Sequence, residues 1–177
     1  PPIYRFPGCR FRGLHWLSDR LVTAMRKLLL ILSACLFSGL AGANEVALAP
    51  TVKPDGLPVL GETWLEANPY RGNPLAVSIG QTAYGQTCAR CHGADASTNA
   101  APAPDLRQLN RFCRRISDLN LKAACMRDND AYFAKTVRHG KIIVGVTQMP
   151  PWHGVLKQEL AWAIQTFIES RAMGGKE

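Results

Sequence analysis

Five consecutive residues, Cys88-Ala89-Arg90-Cys91-His92, restrict this chain more than anything else in it. Two thiols two residues apart, with a histidine directly after, suit a short list of chemistries. A structural zinc half-site would want a second pair at comparable spacing, and Cys113 and Cys125, with eleven residues between them, match poorly. A thioredoxin-like dithiol would follow a strand, whereas a helical pattern precedes this pair. An ordinary disulfide leaves the histidine without a purpose. Covalent attachment of a c-type haem uses all three side chains. Each thiol adds to one vinyl group on the same haem edge, and the next residue stands under the iron with an imidazole. One haem c, attached through Cys88 and Cys91 with His92 as an axial ligand, is therefore expected.

Such a group needs an exported protein, and the beginning of the chain reads as an export signal. The first methionine is Met25, followed by Arg26-Lys27, an apolar run from Leu28 to Leu40, and the small residues Ala41-Gly42-Ala43. The expected organisation is upstream translated sequence at 1–24, a signal peptide at 25–43 cut after Ala43, an extended segment at 44–72 and a haem domain at 73–173. A rival processing site, Leu32-Ser33-Ala34-Cys35, would give a lipid anchor on Cys35 and is the only route to a membrane. The apolar stretch before Cys35 is very short, and Leu36-Phe37 stay apolar where a polar tether belongs. Periplasmic delivery is the expectation. The formal charge of +8 sits mostly in the leader, where six basic residues face only Asp19 before position 28. The remaining imbalance is too small to indicate a nucleic-acid partner.

A chain of 177 residues, 47% hydrophobic and 19% charged, fits one core with room for one cofactor. Prolines 50, 54, 58 and 69 mark residues 44–72 as extended chain laid over a surface. Asn73-Pro74 is a helix start, and Leu75, Ile79 and Ala83 share a face of a helix that ends near Cys88. Leu106, Leu109 and Phe112 suggest a short helical turn or two. From Asn129, helical spacing runs to a stop at Gly140. Residues 141–154 read as loop. Leu156, Leu160, Ile164, Phe167 and Ile168 form the stripe of a final helix. With no convincing strand, the fold class is all-α.

An iron bound by His92 raises the question of its other face. Met149 is preferred because Pro150 and Pro151 stiffen its loop, so a thioether there loses little entropy on ligation. Met126 and Met173 are weaker, since one adjoins Cys125 and the other lies at a terminus. His139 sits beside the Gly140 stop, and His153 is the competitor.

Taken together, Asn68 to Asn73, Ile79-Gly80, Tyr84, Cys88 to Gly93, Ala103 to Leu106, Asp130 to Phe133, Val137-Arg138, Met149-Pro150-Pro151 and Trp162 to Ile164 make the chain resemble the class I monohaem cytochromes c over roughly residues 55–172. More narrowly it resembles the PedF-type periplasmic cytochromes c-550 of PQQ-dependent alcohol dehydrogenase systems. The resemblance implies the class I cytochrome fold, with helices and long loops wrapped around one covalent haem. Gly80 and Tyr84 would then cross Trp162 and Phe167. The Pro104 carbonyl would receive the second N–H of His92, and Leu106 and Trp152 would belong to the haem environment. It further implies a PQQ-dependent alcohol dehydrogenase as electron donor and a downstream cytochrome or terminal oxidase as acceptor.

Cys113 and Cys125 are expected to be bonded. On one continuous helix they would lie about 18 Å apart, so a bond requires the chain to turn back near Ser117 to Asn120. Closing that loop stabilises by roughly 3 kcal/mol in an oxidising compartment. The expected role is a single-electron carrier and not an enzyme. Alternatives are a haem enzyme or gas sensor with an open sixth position, and a lipid-anchored haem subunit of a membrane complex. The basic cluster Arg107, Arg111, Arg114, Arg115 and Lys122 reads either as a steering surface, with Arg107 near a haem carboxylate, or as a solvated face.

Overall fold

The computed structural model describes residues 26–27, 46–98 and 103–174. The chain divides into two units, Pro1–Ala43 and Asn44–Glu177. Of the first, only Arg26 and Lys27 are described, so the signal segment, its cleavage point and Cys35 lie outside the described residues, as does the Met173 side chain.

In the second unit, helix α1 (Pro74–Thr87) starts as its sequence dictates. Asn73 stays extended and its Oδ1 accepts the N–H groups of Leu75 at 2.9 Å and Ala76 at 3.3 Å, with Pro74 taking the first helical position. One more turn, α2 (Ala89–His92), follows Cys88. A 3-10 turn at Leu106–Gln108 and the four-residue α3 (Arg111–Arg114) lead into α4 (Leu119–His139). Helix α4 begins well before Asn129, where the sequence pattern had placed its start. The Asp118 carboxylate accepts the Leu121 N–H at 2.7 Å and so supplies a cap that the weak apolar pattern of 119–128 does not announce.

The segment after α4 corrects the all-loop reading of 141–154. Strands β1 (Lys141–Ile143) and β2 (Val146–Met149) pair antiparallel, with Lys141 opposite Met149. Val144 and Gly145 join them, both at positive φ (50° and 75°), the two-residue turn that suits the twist of a hairpin. The remaining element, α5 (Gln158–Gly174), is buried along most of its length. Among the described residues no helix is long and apolar enough to cross a membrane.

The core is built where α1 crosses α5. A Cβ on Gly80 would lie 2.0 Å from the Ala163 carbonyl oxygen, so only glycine permits this approach. One turn on, Tyr84 packs on Phe167 with ring centroids 5.2 Å apart. Trp162, next to Ala163 and fully buried, has its ring between Trp64 and Phe133, each 6.1 Å away.

The segment before α1 is tied down by buried polar groups. The Leu60 N–H donates to Glu159 at 2.9 Å, and Gln158 Nε2 donates to the Thr63 carbonyl at 2.9 Å. Asp130, fully buried, accepts from the Asn68 backbone at 3.0 Å, from Arg71 at 2.6 Å and from Gln165 at 2.9 Å. Buried polar atoms need partners, and here they tie the segment before α1 to α4 and α5.

Candidate haem site

Helix α1 delivers the thiols. The Cys88 N–H donates to the Tyr84 carbonyl at 2.8 Å, and the Cys88 carbonyl accepts from Cys91 and His92 at 3.2 and 2.9 Å. Gly93, at φ 74°, stops the turn and donates back to Ala89 at 2.9 Å. Cys88, Cys91 and His92 are thus fixed on one helical turn. No disulfide joins Cys88 to Cys91. Burial pushes the Cys88 thiol up to about 11, with a partial offset from the Thr87 hydroxyl. A redox dithiol would have its thiol pulled down, so the environment speaks against that alternative.

Cys88, Cys91 and His92 open on a cavity of about 530 Å³, within the ~300–1,000 Å³ usual for cofactor sites. Pro104, Leu106, Met149 and Trp152 line the same cavity, so every site residue expected from the sequence for the haem faces one space. His92 Nδ1 lies 3.2 Å from the Pro104 carbonyl oxygen. A carbonyl only accepts, so Nδ1 carries the proton and Nε2 keeps its lone pair for a metal. Burial, the largest influence, lowers the His92 pKa and favours the neutral ring that ligation needs.

Met149 reaches the cavity at the end of β2. The Trp152 and His153 N–H groups donate to the carbonyls of Val137 and Arg138 at 3.0 and 3.2 Å, which hangs the Met-Pro-Pro loop on the last turn of α4. Gly140 stands against that loop, for a Cβ there would meet the Met149 carbonyl oxygen at 2.3 Å. His139 and His153 are exposed and neither lines the cavity; Met126 lines a separate one of about 400 Å³.

Sequence reasoning missed Tyr132, Thr136, Lys141 and Gln148, which form a polar side of the cavity. Lys141 Nζ donates to the Tyr132 hydroxyl and sits 4.9 Å from the ring centroid, which holds the phenol below its ordinary pKa. The spacing of 132 and 136 was readable; the return of 141 beside them needed the hairpin. Among the described residues no Asp or Glu lines the cavity, while Arg90 and Lys141 do. An apolar space with two thiols, an imidazole, a thioether and only cationic charge fits haem, whose edge carries carboxylates.

Arg107 and the rest of the basic cluster, Arg111, Arg114, Arg115 and Lys122, lie apart from this lining. The Arg107 guanidinium is forked onto Asp105, at 3.0 and 2.9 Å. Cys113 and Cys125 form a disulfide with Cα atoms 5.6 Å apart, the chain turning between α3 and α4. Among the described residues no three His, Cys, Asp or Glu gather as a metal site of the zinc kind.

The family described as cytochrome c oxidase, cbb3-type, subunit III matches residues 76–168. A Pseudomonas aeruginosa protein named cytochrome c550 is 36% identical over 146 residues, covering 80% of this chain and 90% of the relative. The chain belongs to the cytochrome c family. No solved structure matches it. With a single Cys-x-x-Cys-His sequence, this cytochrome carries one covalently bound haem c.

Proposed function

We propose that this cytochrome is an exported single-electron carrier, not an enzyme, whose iron is held by His92 and Met149. The observation that carries the reading is that Met149 lines the cavity of Cys88, Cys91 and His92 while His139 and His153 do not. Bound haem supplies reversible one-electron exchange, and two side-chain ligands leave no coordination position for a substrate. His92 supplies a neutral nitrogen fixed by Pro104. Met149 supplies a soft sulfur that favours the reduced state and raises the potential. Leu106 and Trp152 keep water from the metal.

Export is supported by the disulfide, which suits the periplasm. The narrower resemblance names the donor as a PQQ-dependent alcohol dehydrogenase and the acceptor as a downstream cytochrome or terminal oxidase. Docking is by the cavity mouth, where Cys91 is exposed and Lys141 contributes charge. A brief encounter of this kind needs only a small interface. Stopped-flow mixing of the oxidised protein with the reduced dehydrogenase of the same organism tests the donor. Reduction faster than that of an unrelated periplasmic cytochrome is expected, and no reduction would count against the assignment.

The oxidase description of the matched family favours a second reading, a haem subunit anchored to a membrane complex through Cys35. The mass of the mature N-terminus separates the two. A chain starting at Asn44 supports the carrier, and a lipidated Cys35 supports the subunit.

A further inference from the structure

The carrier reading gives no task to Asn129, a half-buried side chain on α4, or to the disulfide one turn before it. Both grip the segment that carries Pro104. The hydrogen bond from His92 Nδ1 to the Pro104 carbonyl sets the orientation and basicity of the imidazole, so whatever holds Pro104 acts on the iron ligand at one remove.

Residues 103–115 form a strap with no long element of its own, only the 3-10 turn and α3. At its beginning the Leu106 N–H donates to the Ala96 carbonyl at 3.0 Å. Further along, Asn129 Nδ2 reaches the Leu109 carbonyl and Asn110 Oδ1, each at 2.8 Å, and lies 3.1 Å from Cys113 Sγ. Its two hydrogens are thereby committed to the strap. Cys125 stands four residues before Asn129, on the same face of α4, and bonds Cys113. One helix face therefore clasps the strap by a covalent bond and by a pair of hydrogen bonds.

The clasp is braced from behind. Asn110, only 2% exposed, donates from Nδ2 to Glu169 at 2.7 Å. Glu169 is held by Arg71 at 2.8 Å, and Arg71 by Asp130 at 2.6 Å, the residue next to Asn129. The circuit from Asn129 through Asn110, Glu169 and Arg71 to Asp130 returns to the helix it left. A displacement of the strap would break a buried hydrogen bond at Asn110, which burial makes costly.

We propose that Asn129 and the Cys113–Cys125 bond are positioning groups for the haem ligand. They keep the Pro104 carbonyl in line with His92 Nδ1 and so set the basicity of the imidazole and the midpoint potential. This inference rests on His92 as a ligand, and two readouts reach it without any electron-transfer assay. In the reduced holoprotein, hydrogen exchange of the His92 Nδ1 proton, followed by NMR, is expected to be at least tenfold faster in Asn129→Ala. Asn129→Asp keeps the shape but loses the donor, and is expected to behave alike. The midpoint potential should rise in both, because an imidazole that donates less strongly stabilises ferric iron less.

The disulfide-free Cys113→Ser/Cys125→Ser protein should shift in the same direction. Leu57→Ala removes a buried side chain that does not line the cavity and serves as the control: it should lose stability and change neither readout. If Asn129→Ala does not accumulate, the wild-type holoprotein with its disulfide cleaved by a thiol reductant gives the same comparison. Exchange and potential that stay at wild-type values while stability falls, as in the control, would overturn the clasp and leave a purely structural role. Absence of any iron-shifted imidazole resonance in the wild type would instead overturn His92 as ligand.

Discussion

His92 and Met149 reach one cavity from segments built in opposite ways. His92 ends a helical run that begins at Asn73. The amides of Cys88, Cys91, His92 and Gly93 are bonded within that run, and its ring is fixed by Pro104. Met149 ends a two-stranded ribbon with little cover of its own, Ile142 of its first strand being 70% exposed and Val144 of its turn 97%. A lone two-stranded hairpin is marginal in water. The ribbon is held from outside, by Gly140 and by the amides of Trp152 and His153 on α4. The histidine side is therefore rigid by local structure, and the methionine side is placed by tertiary contacts. Of the two, the methionine side should loosen first.

The largest expected effect removes the histidine side altogether. Replacing Cys88 or Cys91 by Ala should leave little holoprotein in the periplasm. Haem in the wild type should survive acid-acetone extraction of the denatured protein, and its release would refute covalent attachment.

Gly140→Ala attacks only the other side. At φ 68°, with a Cβ 2.3 Å from the Met149 carbonyl oxygen, the substitution must push the strand end away. A loss of about 1–3 kcal/mol in thermal or denaturant unfolding is expected, together with weakening of the far-red sulfur-to-iron band, while the haem stays covalently attached. An unchanged band would mean that Gly140 does not hold Met149.

How far each side was legible follows from the same contrast. The Asn73 cap, α1 and the Cys-x-x-Cys-His turn are local, and local chemistry is readable from neighbours in sequence. The hairpin was hidden because its tip residue, Val144, is β-branched at a position that favours Gly, Asn or Asp, and because β1, at three residues, is too short for alternation to show. The Arg107–Asp105 fork lies two residues apart and was within reach of sequence reading. The Asn129 and Asp130 circuits were not, since their partners lie as far off as Asn68 and Glu169 and no periodicity links them.

The smallest expected effect sharpens the comparison from the ribbon tip. Val144 sits at φ 50°, where a branched residue is strained. Val144→Asn should stabilise the protein by about 1 kcal/mol, read as a rise in Tm, with no change in the haem spectrum. Destabilisation would show that the tip is packed against something its exposure does not reveal.

Carbon monoxide binding to the reduced holoprotein tests the central claim most directly, because it asks whether both faces of the iron are filled by this chain. The wild type should not bind it, and Met149→Ala should bind it readily with a lower midpoint potential, while His153→Ala behaves as wild type. A wild type that binds carbon monoxide readily, or a His153→Ala protein that opens the site when Met149→Ala does not, would contradict the account.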